Sequence, residues 1–155
     1  AAVYPQVRYY ARRFGDTAVP LTLSAAFGSA LSVPGTATNF ATTPDNAALD
    51  IVGDIDLRAD VALTNWNSGV QGLISKWSAA PGQQSYVLQM SGNIPQLVWS
   101  SDGTNVFQLN PGIAVPAQNG QRLTVRATLD VNNGAGGSTG VFYTAPPVVA
   151  PFRSV

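Results

Sequence analysis

The chain reads as an all-β protein, an antiparallel jelly-roll β-sandwich with an extended N-terminal arm. Two stretches alternate almost without fault, Asp54 to Leu63 and Arg122 to Asp130. In the first, Ile55, Leu57, Ala59, Val61 and Leu63 share one face of an extended strand, opposite Asp54, Asp56, Arg58 and Asp60. In the second, Leu123, Val125, Ala127 and Leu129 oppose Arg122, Thr124, Arg126 and Thr128. A period of two means one buried and one wet face, as in the antiparallel sheets of a sandwich. Turn residues also recur about every ten positions, and no segment of useful length has helical periodicity.

Residues 1–37 form an arm, 38–145 the sandwich and 146–155 a Pro-rich tail. The arm opens with an aromatic and basic cluster: Tyr4, Arg8, Tyr9, Tyr10, Arg12, Arg13 and Phe14. A weaker apolar stretch, Val19 to Val33, follows and is broken by Pro20 and Gly28. Asn39 to Thr43 is predicted as a short strand, Pro44-Asp45-Asn46 as a turn, and Asn46 to Leu49 as one helical turn. After the first alternating strand, short runs are predicted at Val70–Trp77, Ser85–Met90, Gln96–Ser101 and Asn105–Leu109. Pro81-Gly82, Ser91-Gly92-Asn93 and Ser101-Asp102-Gly103 separate them. Asp102-Gly103 suits a hairpin turn, since Gly accepts the positive φ that tight turns require. The second alternating strand leads into the Gly-rich loop Asn132–Gly137 and a last strand, Thr139–Thr144. The tail, Pro146 to Pro151, is expected to be extended and poor in ladder bonds, because Pro donates none.

The buried set expected from this pattern is Ile55, Leu57, Val61, Leu63, Leu88, Leu97, Trp99, Leu123, Val125, Leu129 and Phe142. A length of 155 residues with 45% hydrophobic content suits one domain with a sizeable core. The charged fraction is low, 10% against about 25% for an average domain. Eight basic residues balance eight Asp, and Glu is absent. Such a chain has little long-range field for nucleic acid or an anionic membrane. Low charge is easier to tolerate where neighbouring subunits cover the surface, or where Ser, Thr, Asn and Gln keep it polar. Without Cys or His, the chain offers no disulfide, thiolate metal site, imidazole base or Ser-His-Asp triad. No apolar run is long enough to span a bilayer as a helix. The opening, Ala1-Ala2-Val3-Tyr4-Pro5, lacks the pattern of a signal peptide and reads as a processed start or the start of a fragment.

Four segments carry a family resemblance: Thr43 to Arg58, Leu73 to Trp77, Ser85 to Gln89 and Val125 to Gly134. In this order they resemble the concanavalin A-like (laminin G-like) jelly-roll modules of virion proteins from phages that infect actinobacteria. The resemblance covers roughly residues 39–145. It implies two packed, curved antiparallel sheets and a place on a virion, as head decoration or in the tail. Modules of this type continue beyond the Phe142-Tyr143-Thr144 strand. The chain is then a fragment, or the arm and tail supply the remaining strands, or a neighbouring subunit does.

The fold invites four site readings. Glycoside hydrolysis needs a raised-pKa carboxylic acid facing a second carboxylate. With Glu absent, and Asp54, Asp56 and Asp60 sharing a face with Arg58, a solvated strand face is expected and no catalysis. Carbohydrate binding is the alternative function, for attachment to host glycans. Trp66, in a predicted loop, and Trp77, at a strand end, are its candidate stacking residues, whereas Trp99 shares a face with Leu97 and is expected in the core. Asp130, Asn132 and Asn133 place oxygens in a Gly-rich loop, but a turn stabilised by its own side chains is expected there, with no metal or other cofactor. The basic aromatic arm is too small a footprint for nucleic acid, while Arg and Tyr are enriched at protein–protein contacts. Tyr4, Arg8, Tyr9, Tyr10, Arg12, Arg13 and Phe14 are therefore the candidate partner-binding residues, for other virion proteins or a homo-oligomer. The competing expectation is that the arm folds back as a lid on its own sandwich.

Overall fold

Eight strands form two antiparallel four-stranded sheets, and the only helical element among the described residues is one 3-10 turn. The structure is a computed structural model that describes residues 10–11, 31–33, 40–80 and 82–145. The strands are β1 (Tyr10–Ala11), β2 (Ile55–Ala62), β3 (Val70–Trp77), β4 (Gln84–Ser91), β5 (Ile94–Trp99), β6 (Phe107–Leu109), β7 (Arg122–Asp130) and β8 (Thr139–Ala145). The first sheet has the order β1-β2-β7-β8, and the second is the meander β3-β4-β5-β6.

The two alternating stretches become β2 and β7, and they pair with each other. Ile55 stands opposite Leu129, Leu57 opposite Ala127, Ala59 opposite Val125 and Val61 opposite Leu123. A shift of one residue would turn every apolar side chain outward, so the alternation fixes this register. From the other sheet, Tyr86, Leu88 and Met90 of β4 and Leu97 and Trp99 of β5 join the same apolar cluster. The two sheets thus share a single core. Of the expected buried set, Val61, Leu63 and Phe142 are partly buried against that core and the rest are buried.

Asn46 caps the 3-10 turn Ala47–Leu49, its side chain accepting from the Ala48 N–H at 2.8 Å. The expected strand before it is absent: residues 40–43 carry no regular structure and are exposed, and Asn39 lies outside the described residues. No strand pairs with this stretch among the described residues, and an isolated stretch without ladder bonds does not hold. β5 starts earlier than the sequence suggests, at Ile94, because the tight turn Gly92-Asn93 carries pairing through Pro95. Pro95 is tolerated there because β6 pairs only with Leu97 to Trp99, so at Pro95 the strand is locally an edge.

Asp102-Gly103 is not a two-residue hairpin turn. It lies in a longer loop from Ser100 to Val106, organised by one carboxylate. Asp102 accepts from the Ser100 hydroxyl, the Thr104 and Asn105 backbone N–H groups and the Asn105 side-chain amide. These donors hold the Asp102 carboxyl well below the ordinary carboxylate range, the Asn105 backbone N–H contributing most.

Candidate functional site

Of the seven arm residues named from sequence, six lie outside the described residues: Tyr4, Arg8, Tyr9, Arg12, Arg13 and Phe14. Tyr10 belongs to β1, whose backbone pairs antiparallel with β2, Tyr10 opposite Arg58 and Ala11 opposite Leu57. At these two residues the arm returns to its own sheet.

Trp66 is a correction to the sequence reading. It sits in the β2–β3 connection, as predicted, yet it is 1% exposed and belongs to the core cluster. Its backbone N–H donates to the Asn119 side-chain oxygen at 2.9 Å and its indole N–H to the Gln121 carbonyl at 3.3 Å. The ring closes the end of the sandwich where the chain passes between sheets and leaves no face for a sugar. Nothing in the local pattern Asn65-Trp66-Asn67 signals this, because both partners come from the β6–β7 connection. Trp77 is half-buried at the end of β3, next to a register shift between Lys76 and Trp77. The two tryptophans do not form one binding face: one is a core residue and the other a strand-end residue.

The acidic strand face is built as ion pairs. Arg126 donates to both oxygens of Asp56, at 2.8 and 2.7 Å, and its guanidinium lies 4.9 Å from the Tyr143 ring centre. The Asp56 bond raises the Arg126 pKa further above its ordinary value. Asp60 accepts from Thr124 and lies 3.7 Å from Arg122, while Asp54 accepts from the Val131 N–H. Each carboxylate of this face thus carries a structural partner. A second exposed network joins Lys76 to Asp45 and Asp50 at 2.5 and 3.1 Å, tying β3 to the segment around the 3-10 turn. Hydrogen bonds with Asp45 lead in raising the Lys76 pKa and, reciprocally, in lowering that of Asp45.

In the Gly-rich loop, the Asp130 side chain accepts from the Asn132 N–H, Asn132 from the Gly134 N–H, and Asn133 from the N–H groups of Ala135 and Gly137. These oxygens are engaged by local backbone donors, the arrangement of a turn. Among the described residues no cluster of three His, Cys, Asp or Glu side chains is placed to hold a metal ion. An open groove of about 570 Å³ runs beside this loop, between it and β6. Trp99 and Phe107, stacked at 5.6 Å, form part of its wall, with Gln108, Asn132 and Ser138 as polar groups and no charged side chain.

Comparison with protein families, with curated proteins and with solved structures returned no match.

Among the described residues, β8 is a further feature of the molecule's surface. Its outward side chains include Val141 and Tyr143, 42% and 46% exposed, and they continue the row begun by Thr128 and Arg126 on β7. Among the described residues no strand pairs with its outer edge. The sequence does not show which strand bears this edge, because strand order is a long-range property.

Proposed function

We propose that the chain is a non-enzymatic structural component of a bacteriophage particle, in head decoration or in the tail, acting through protein–protein contacts. The proposed architecture is a jelly-roll sandwich of the concanavalin A-like kind, presented on the particle surface with its N-terminal arm. One observation carries this proposal. The four segments that resemble actinobacteriophage virion modules fall on the approach to β2 and on β2, β3, β4 and β7 with its following turn, which are the framework of both sheets. The likeness therefore lies in strands that line the shared core of both sheets. The side chains suited to catalysis are engaged elsewhere: Asp56 and Asp60 face basic or hydroxyl partners on β7.

The alternative, a module that attaches the particle to host glycans, has lost Trp66 to the core and retains Trp77 at a strand end.

Immunogold labelling of purified phage particles with antibody against the chain tests the proposal. Label at a fixed place on head or tail is the expected result and separates the two locations. Antigen found only in the soluble fraction of the lysate would overturn it. Titration with host cell-wall polysaccharide tests the alternative, and saturable binding lost in Trp77→Ala would favour it.

A further inference from the structure

We infer that β8 is a self-pairing edge: two copies of the chain join β8 to β8, antiparallel, to form one continuous sheet. This names the partner for the structural role proposed above and rests on that role for its purpose in the particle.

The inference comes from comparing the edges. An exposed strand edge is a template for another strand, and folded proteins blunt such edges by shortness, bulges, charge or proline. β6 is three residues long and β1 is two. β3 is long but carries two register shifts, at Gly72/Ile74 and Lys76/Trp77, and bears Lys76 with its ion pairs. β8 has none of these devices. It runs for seven residues, Thr-Gly-Val-Phe-Tyr-Thr-Ala, with no charge and no proline, in unbroken register with β7. Five of its seven residues are exposed, whereas β7 beside it is mostly buried. Such a strand, uncharged and rich in β-formers, is suited to backbone pairing.

The occupant follows from the sequence of the edge. Antiparallel pairing centred on Phe142 uses the whole strand and sets Thr139 opposite Ala145, Gly140 opposite Thr144 and Val141 opposite Tyr143 of the second copy. No like charges meet. The outer face gains the Val141–Tyr143 pair twice, and an aromatic beside a β-branched side chain is a favourable cross-strand neighbour. Tyr143 already has Arg126 on its other side, so the new contact extends an existing row. The twofold symmetry makes the interface self-complementary, the usual form of a homodimer.

Sedimentation equilibrium of the purified chain, run over a wide concentration range, is the test. A reversible dimer is expected, with hydrogen-exchange protection that grows with concentration and is confined to 139–145. Val141→Lys and Tyr143→Glu should each weaken the dimer roughly tenfold, with far-UV dichroism and thermal unfolding confirming the fold. The double variant V141K/Y143E sets opposite charges across the interface twice and should recover the association. A monomer at all concentrations, a dimer indifferent to both single variants, or protection elsewhere would overturn the inference. A monomer that still labels phage particles would end self-pairing and leave the virion role standing. A β8 dimer absent from particles would do the reverse.

Discussion

The indole N–H of Trp66 donates to the backbone carbonyl of Gln121, across 55 residues of sequence. The bond joins the two places where the chain crosses between sheets, the β2–β3 and β6–β7 connections. Alongside it the Asn119 side chain accepts from the Trp66 backbone, and the Gly120 N–H donates to Leu63. Crossing segments gain no ladder bonds of their own, so their polar backbone groups need such partners.

Trp66→Ala should therefore destabilise the fold by about 3–5 kcal/mol, the range for removing a buried aromatic. Trp66→Phe keeps most of the bulk and loses the donor, leaving the Gln121 carbonyl short of a partner, and should cost about 1–3 kcal/mol. Denaturant unfolding of both variants checks the order. A Trp66→Ala protein as stable as the parent would mean that the ring does not close the sandwich.

The first sheet's central strands, β2 and β7, were legible in the sequence because one interaction dominates them. Ile55 to Val61 and Leu123 to Leu129 need only a period of two, which local order displays. Strand β3 was legible to the residue, since both of its ends meet turn residues. What was not legible depends on distant partners. Trp66 looked like a loop aromatic because Asn119 and Gln121 lie some 50 positions away. Residues 40–43 have strand-like composition but no neighbour to pair with among the described residues. Asp102-Gly103 carried a hairpin signal, and the number of donors collected by the Asp102 carboxylate decided for a wider loop. Of the candidate sites, the Asp130 turn was read correctly as a turn, since its bonds are local.

A charge placed on the inward face should prevent folding. Leu57 and Val125 are 1% and 0% exposed at the centre of the β2–β7 pair. Leu57→Asp or Val125→Asp would strand a carboxylate without a partner, at a cost of several kcal/mol that a domain of ordinary stability cannot absorb. Loss of the dispersed amide spectrum in NMR is the expected readout, and a folded Leu57→Asp protein would contradict the assigned register.

Gly103 should resist substitution more than the other turn glycines. Its φ is +77°, and a Cβ there would meet the Gly82 Cα at 2.8 Å. The two loops touch through backbone, with the Gly82 N–H donating to the Gly103 carbonyl at 3.0 Å. Gly112, with φ +64°, has open space around it. Gly112→Ala should then cost only the backbone term, about 1–2 kcal/mol, while Gly103→Ala adds a clash that neither backbone relieves. Equal melting temperatures for the two variants would refute the close approach.

Acid should loosen the β5–β6 loop through Asp102. Hydrogen bonds from the Asn105 and Thr104 N–H groups favour its ionised form, so its folded pKa lies below the unfolded value. A depressed carboxylate contributes stability above the unfolded pKa, near 4, and that contribution is lost as pH falls through the folded value. Hydrogen exchange at Thr104 and Asn105 should therefore rise as pH falls below about 4, beyond the intrinsic pH dependence of exchange. Asp102→Asn removes the titration but leaves one acceptor, so the variant should show weaker protection already at neutral pH and no such extra rise. An unchanged exchange profile at these two amides would show that the carboxylate does not organise the loop.

The Asp56–Arg126 pair should be measurable although it is a surface pair. Exposed ion pairs contribute about 0–1 kcal/mol, because solvent screens them and ordering both side chains costs entropy. Here the side chains are 30% and 40% exposed, both Asp56 oxygens accept from Arg126, and the guanidinium rests near Tyr143. Both strands are already fixed by their ladder, so little further order is needed. A double-mutant cycle with Asp56→Asn and Arg126→Gln should give a coupling of about 1 kcal/mol, at the upper end for such pairs, and it should shrink in high salt. The register adds a second test. Arg58 stands directly opposite Arg126, and like charges facing each other across strands are unfavourable. Asp56 is two residues along from Arg58 on the same outward face and offsets that repulsion. Arg58→Gln in the Asp56→Asn background should therefore recover part of the lost stability, while in the parent it should recover less. If Arg58→Gln has the same effect in both backgrounds, Asp56 is not screening the arginine pair and only the direct bond to Arg126 remains.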